Sequence, residues 1–184
     1  MIATKVVTGE RTRWSYVHVL EPQSINGSKP KYSVCLLIPK EDQATVDAIR
    51  EAIRFAYTAG KAKLQGNSKS VPPLETIKTP LRDGDVEHPG ELPYANCFFL
   101  NANNTIRPQV VDSECRPIMN QEDVYSGCYG RASISFYAFN VNGNRGIACG
   151  LNSLQKLSDG DRLGGGPSSA ALDFGDMISD PLLL

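Results

Sequence analysis

Residues 128–151 hold the strongest constraint on what this chain can fold into. In the run CYGRASISFYAF, Ala132, Ile134, Phe136 and Ala138 fall on one face, and Tyr129, Arg131, Ser133, Ser135, Tyr137 and Phe139 on the other, because strand side chains alternate with period two. Asn142-Gly143 then supplies the strongest short hairpin signal, and RGIACGL runs back as the partner strand. Ile147, Cys149 and Leu151 continue the apolar stripe, while Gly146, Ala148 and Gly150 leave the opposite face almost bare. A bare strip permits close approach of a ligand or another backbone, or marks a barrel corner. The face with two aromatics, small hydroxyls and a cation suits stacking of planar bases beside a phosphate backbone. The plainer alternative is a barrel buried on both faces, with Tyr137 and Phe139 packed under a loop.

The rest of the chain reads as more strands and one helix. Residues 2–20 are extended, with Val17 and Val19 facing one way and Trp14, Tyr16 and His18 the other. Trp14 is the only tryptophan and has Arg11 and Arg13 as neighbours, an arrangement that suits either base stacking or the core. Asn26-Gly27 turns the chain into a strand at 31–38. Over about 42–63, Val46, Ile49, Ile53 and Ala56 recur at helical spacing behind Asp42 as N-cap, which predicts the main helix. Residues 66–95 carry five of the twelve prolines and read as a long irregular loop. Strand signals return at 96–101 and 107–111. Several strands, one helix and no βαβ rhythm predict a small antiparallel barrel spanning 1–157. Residues 158–184 read as a Gly-rich linker and a mildly acidic, amphipathic tail.

Composition excludes more than it selects. No apolar run approaches the roughly 18 residues of a membrane span, and the N-terminal stretch lacks a signal peptide's apolar segment. This predicts a cytoplasmic protein without membrane contact. The five cysteines include no Cys-x-x-Cys pair and read as buried thiols rather than a zinc site. Net charge is −1, yet residues 50–82 carry a local +5 and residues 167–184 carry −3. Asp83, Asp85 and Glu87 alternate as a divalent metal site would need, or as a solvated turn. No nucleophile has an evident base, and Gly164-Gly165-Gly166 lacks the Lys-Ser/Thr of a phosphate loop. No cofactor is expected.

Longer motifs carry a family resemblance. The run Pro80-Leu-Arg-Asp-Gly-Asp85, then Arg107-Pro-Gln-Val-Val-Asp112, Tyr125-Ser-Gly127, the hairpin Arg131–Phe139 and Gly146–Leu151, and finally Leu154-Gln155 and Asp159-Gly-Asp-Arg-Leu-Gly164 resemble the single-stranded-DNA-binding proteins of tailed bacteriophages. That family was formerly known only as a domain of unknown function. The resemblance covers most of residues 1–166. It implies an OB-fold, sequence-tolerant binding of single-stranded DNA (ssDNA), and a role in phage DNA replication or recombination in the cytoplasm of the infected bacterium. By position, the family's hairpin face corresponds to Tyr129, Arg131, Tyr137 and Phe139. The full expected DNA-binding set is Trp14, Tyr16, Lys61, Lys63, Lys69, Arg107, Tyr129, Arg131, Tyr137, Phe139 and Arg145, with cations on phosphates and aromatics on bases. The acidic tail the resemblance implies has only three acids here, interleaved with Leu172, Phe174, Met177 and Ile178. It is expected to meet phage or host replication and recombination proteins, and self-association along DNA is a further expectation. The rival readings are a metal-dependent nuclease built on Asp83–Glu87 and a structural or protein-interaction barrel without DNA binding.

Overall fold

The computed structural model describes residues 4–24 and 26–163. Its strands are β1 (Lys5–Val7), β2 (Arg13–Gln23), β3 (Lys31–Pro39), β4 (Arg82–Asp83), β5 (Cys97–Asn104), β6 (Gln109–Val111), β7 (Tyr129–Val141) and β8 (Asn144–Ser158). Its α-helices are α1 (Gln43–Ala59), α2 (Lys61–Gln65) and the short α3 (Gly84–Glu87). Five strands close into a ring. β2–β3, β3–β5 and β7–β8 pair antiparallel, β5 meets β8 in parallel at Asn103↔Gly150, and β7 returns to β2 at Arg13↔Tyr129. Counted in chain order, these five strands lie one-two-three-five-four and back to one, the Greek-key barrel of an OB-fold. β1 lies along the far edge of β7, β6 flanks β8, and β4 flanks β5.

The hairpin forms as its alternation predicts. Gly130, Ala132, Ile134, Phe136 and Ala138 are buried, and the residues between them are not. Asn142 and Gly143 take φ of 52° and 84°, the left-handed pair of a type I′ turn that matches strand twist. The predicted 42–63 helix is divided at Gly60 into α1 and α2. Asp42 caps α1, accepting from the Thr45 N–H at 3.3 Å and the Thr45 hydroxyl at 2.6 Å. Val46, Ile49, Ala52, Ile53 and Ala56 bury the helix face against the barrel interior.

The first long strand departs from simple alternation. Ser15 stands opposite Cys35 and His18 opposite Ser33, so one extra residue is inserted, with Tyr16 at φ 48°. Such a bulge reverses the faces beyond it. Trp14 and Val19 therefore both point inward, and Tyr16 points out. Trp14 is fully buried, donates its indole N–H to the Gly130 carbonyl at 3.2 Å, and rests against Gly130, where an added Cβ would stand 2.7 Å from the ring. The expectation that Trp14 contacts bases is thus corrected: the indole has no free face.

Residues 158–163, read as the start of a linker, pack against the barrel instead. The Arg13 guanidinium donates to the carbonyls of Gly127 at 3.0 Å and Asp161 at 2.6 Å. Tyr125 donates its hydroxyl to Asp159, Lys156 pairs with Asp159 at 2.7 Å, and Arg162 stacks over the Tyr125 ring. Leu163 donates its N–H to the Ser126 carbonyl and joins a second apolar cluster on the outer side of β3 and β5, with Cys35, Leu37, Tyr94 and Phe99. This strap lies over the β2–β7 seam, where the ring is closed by a single residue pair. Truncation after Ser158 should therefore cost about 2 kcal/mol relative to truncation after Leu163, from one half-buried leucine and the lost hydrogen bonds of Asp161 and Leu163. Urea unfolding of the two truncated proteins measures it, and equal midpoints would show the strap contributes nothing.

Candidate nucleic-acid interface

The outward face of β7 and β8 is where the expected site residues divide. Tyr137 is 49% exposed. Its ring leans over Gly150 across the hairpin, with Cε1 3.5 Å from where a Cβ would stand. Phe139 is half-buried opposite Gly146, where a second backbone also crosses: Lys78 donates to the Arg145 carbonyl and accepts from the Ile147 N–H at 2.8 Å. The bare strip of β8 thus serves twice, at Gly146 for a neighbouring chain segment and at Gly150 as the seat of Tyr137.

Cations collect at the hairpin tip. The Asn140 side chain donates to the Lys63 carbonyl at 3.0 Å, and the Arg145 guanidinium donates to the Ser68 hydroxyl. These bonds hold α2 and the segment after it against the turn. They bring the backbone at Lys63 and Lys69 to the same end as Arg145, Lys78, Tyr137 and Phe139. Lys61, at the start of α2, places its ammonium 5.8 Å from the Tyr57 ring. The remainder of the basic 50–82 stretch is partly neutralised by its own neighbours. Arg54 pairs with Glu51, and Arg82 pairs with Glu87 while lying over Phe99.

Other expected residues lie elsewhere or are engaged. Tyr129 is half-buried between the Arg13 guanidinium, 5.2 Å from its centroid, and Gly160, whose added Cβ would come within 2.7 Å of the ring. Tyr129 thus packs between β2 and the 158–163 strap, with less of its ring open to solvent than Tyr137 has. Arg131 donates to Gln155 Oε1 at 3.2 Å, and that glutamine binds the 112–115 loop. Arg107 is exposed in the connection between β5 and β6, away from the hairpin tip. Tyr16 is 62% exposed on the β2 bulge.

The register exposes a feature that the sequence reading missed. Lys5, Ser135, Gly150, Asn103, Ser33 and His18 are successive cross-strand partners from β1 through β7, β8, β5 and β3 to β2. They form an outward belt of small, mostly uncharged polar groups running across the strands. Tyr137 stands beside one end of it, and Tyr16 stands beside the other, within the bulge next to His18. Only a cross-strand register reveals this belt, since its members are scattered between positions 5 and 150 of the chain.

Other chemistry is quenched by burial and pairing. Lys40 bridges Asp83 at 2.8 Å and Asp85 at 2.7 Å, and its hydrogen bonds hold both carboxyls below the usual carboxylate range. The expected alternatives for that turn thus resolve to an ion-paired one. Among the described residues no group of three His, Cys, Asp or Glu is placed to hold a metal. Burial pushes the Cys35 thiol up to about 12 and raises Cys149 as well, which keeps both protonated and poorly nucleophilic at neutral pH. Among the cysteines, Cys35, Cys128 and Cys149 are buried, Cys97 is half-buried, and Cys115 is exposed.

Comparison with known proteins agrees with this geometry. The family model described as the ssDNA-binding protein of Enterobacter phage Enc34 matches residues 4–182. Protein p50 of Acyrthosiphon pisum secondary endosymbiont phage 1 is 31% identical over 173 residues, covering 90% of each chain. Among solved structures, the single-stranded DNA-binding protein from bacteriophage Enc34 in complex with ssDNA aligns with a TM-score of 0.72 at 23% identity, covering 88% of this chain and 90% of that one. The single-stranded DNA-binding protein gp2.5 of bacteriophage T7 aligns with a TM-score of 0.59 at 20% identity, covering 96% of each. The structural likenesses establish the barrel fold, and with the family match over nearly the whole chain they place it: this chain belongs to the family of the Enc34 phage single-stranded-DNA-binding protein.

Proposed function

We propose that this chain coats ssDNA without strong sequence preference during phage DNA replication or recombination in the infected host, acting as a binder rather than an enzyme. The observation that carries the reading is Tyr137. It is an exposed aromatic on the outer face of an OB barrel, beside a belt of small polar groups and at the end where Lys63, Lys69 and Arg145 gather. Family membership points to the same ligand. In this reading bases stack on Tyr137 and Tyr16, while Lys5, Lys61, Lys63, Lys69 and Arg145 neutralise phosphates. Phe139 supports Tyr137 through its packing at Gly146. Arg107 and Arg131 lie off this path and serve at most its margins. Residues 167–184 lie outside the described residues. Their acids and apolar side chains are the proposed contact for replication or recombination proteins. Among the described residues no helix is long and apolar enough to cross a membrane.

Two outcomes follow from the chemistry. Oligo-dT should bind more tightly than duplex of equal length, and its affinity should fall with salt at a log–log slope of roughly −3 if about four phosphates are neutralised. Fluorescence anisotropy at several salt concentrations measures both, and equal affinity for duplex would overturn the proposal.

The aromatic assignment separates by mutation. Tyr137→Ala should weaken oligo-dT binding by about 1–3 kcal/mol with a native circular dichroism spectrum, the worth of one stacked base. Trp14→Phe should lower the unfolding midpoint and leave affinity within about twofold, since its loss falls on a buried hydrogen bond. The reverse pattern would move the binding surface to the β2–β7 seam.

A further inference from the structure

The belt contains a hydrogen-bonding group that is already oriented. Asn152 donates its side-chain amide to the Ser135 hydroxyl oxygen at 2.9 Å and approaches the Ser133 oxygen at 3.4 Å. A hydroxyl that accepts through its oxygen keeps its proton for another acceptor. Ser135 lies on the outward face of β7, two residues from Tyr137, with Gly150 as its direct partner on β8 and Lys5 as its partner on β1. No side chain rises from Gly150, and Tyr137 leans over that gap. Tyr137, the Gly150 gap, the Ser135 hydroxyl and Lys5 thus adjoin on one outward face, where a base stacked on Tyr137 would present its edge to Ser135.

We propose that Ser135, held by Asn152, donates a hydrogen bond to a base carbonyl at the Tyr137 position and so makes binding favour carbonyl-bearing bases over adenine. Thymine, cytosine and guanine each carry an exocyclic carbonyl oxygen, whereas adenine carries an amine and none. The preference is modest and sits inside a sequence-tolerant mode, because stacking and phosphate contacts treat all bases alike. This inference rests on the proposed stacking at Tyr137.

The test must not confuse the carbonyl with stacking strength, in which thymine and adenine differ. Hypoxanthine differs from adenine by a carbonyl in place of the amine and keeps the same fused ring. Twelve-residue oligo-dI and oligo-dA are titrated with the full chain, together with Ser135→Ala. Oligo-dI should bind roughly threefold to tenfold more tightly than oligo-dA, the worth of one net neutral hydrogen bond. Ser135→Ala should bring that ratio to about one and leave oligo-dA affinity unchanged. A merely structural serine would shift both affinities together, which would overturn the proposal, as would equal binding of the two oligomers by the unaltered chain. Oligo-dT binding that survives while the ratio is flat sinks this inference alone. Loss of all ssDNA binding by the unaltered chain sinks it together with the functional reading.

Discussion

The contact between Trp14 and Gly130 fixes how every other part of the surface is displayed. The indole fills the interior at the narrow β2–β7 closure, donates to the Gly130 carbonyl, and leaves no room for a side chain at position 130. This sets the phase of β7. With Gly130 inward, Ala132, Ile134, Phe136 and Ala138 must follow it inward, and Ser133, Ser135 and Tyr137 must face out. A slip of one residue in this pairing would exchange the two faces. The proposed binding surface is therefore a consequence of how the core is closed at the other end of the same strand.

What remains open on the barrel is decided by what covers the rest. Over the lower outer faces of β3 and β5, Tyr94 and Phe99 pack on Cys35 and Leu37. Lys40, bridging Asp83 and Asp85, and Arg82, paired with Glu87, hold the α3 segment beside them. The Asp159–Leu163 strap covers the seam and packs against Tyr129, which Arg13 also approaches. The belt from Lys5 to His18, with an exposed tyrosine near each end, lies on the part of the outer surface that these elements leave free. The Pro80–Asp85 motif and the residues Asp159–Leu163 thus help to fix which face is bare.

The hairpin and the main helix were legible because each obeys one short-range rule. Alternation with Asn142-Gly143 specified β7 and β8, and a 3.6-residue period behind Asp42 specified α1. The family's motifs pointed to the OB-fold that the strand order bears out. Trp14 was misassigned because one bulge residue reverses a strand's faces, and the sequence RWSYVHV gives no sign of it. The packing of Tyr129 under the strap was not legible because Asp-Gly-Asp has linker composition, although Gly160 is needed for close contact with an aromatic ring rather than for flexibility. The charge of residues 50–82 overstated the basic surface, since Glu51 and Glu87 neutralise Arg54 and Arg82. Lys5, Asn103 and Asn152 escaped notice because their significance lies in cross-strand register, which local patterns do not encode.

The central claim is that bases lie on the outward hairpin face beside Tyr137 and not on the strap-covered seam. Photocrosslinking of the full chain to a single-stranded oligonucleotide carrying 5-iodouracil, followed by mass spectrometry of the adducts, tests it directly, because such adducts form at side chains stacked on the modified base. The account predicts adducts at Tyr137, with a second set at Tyr16. Adducts concentrated at Trp14 or Tyr129, with none at Tyr137, would contradict it.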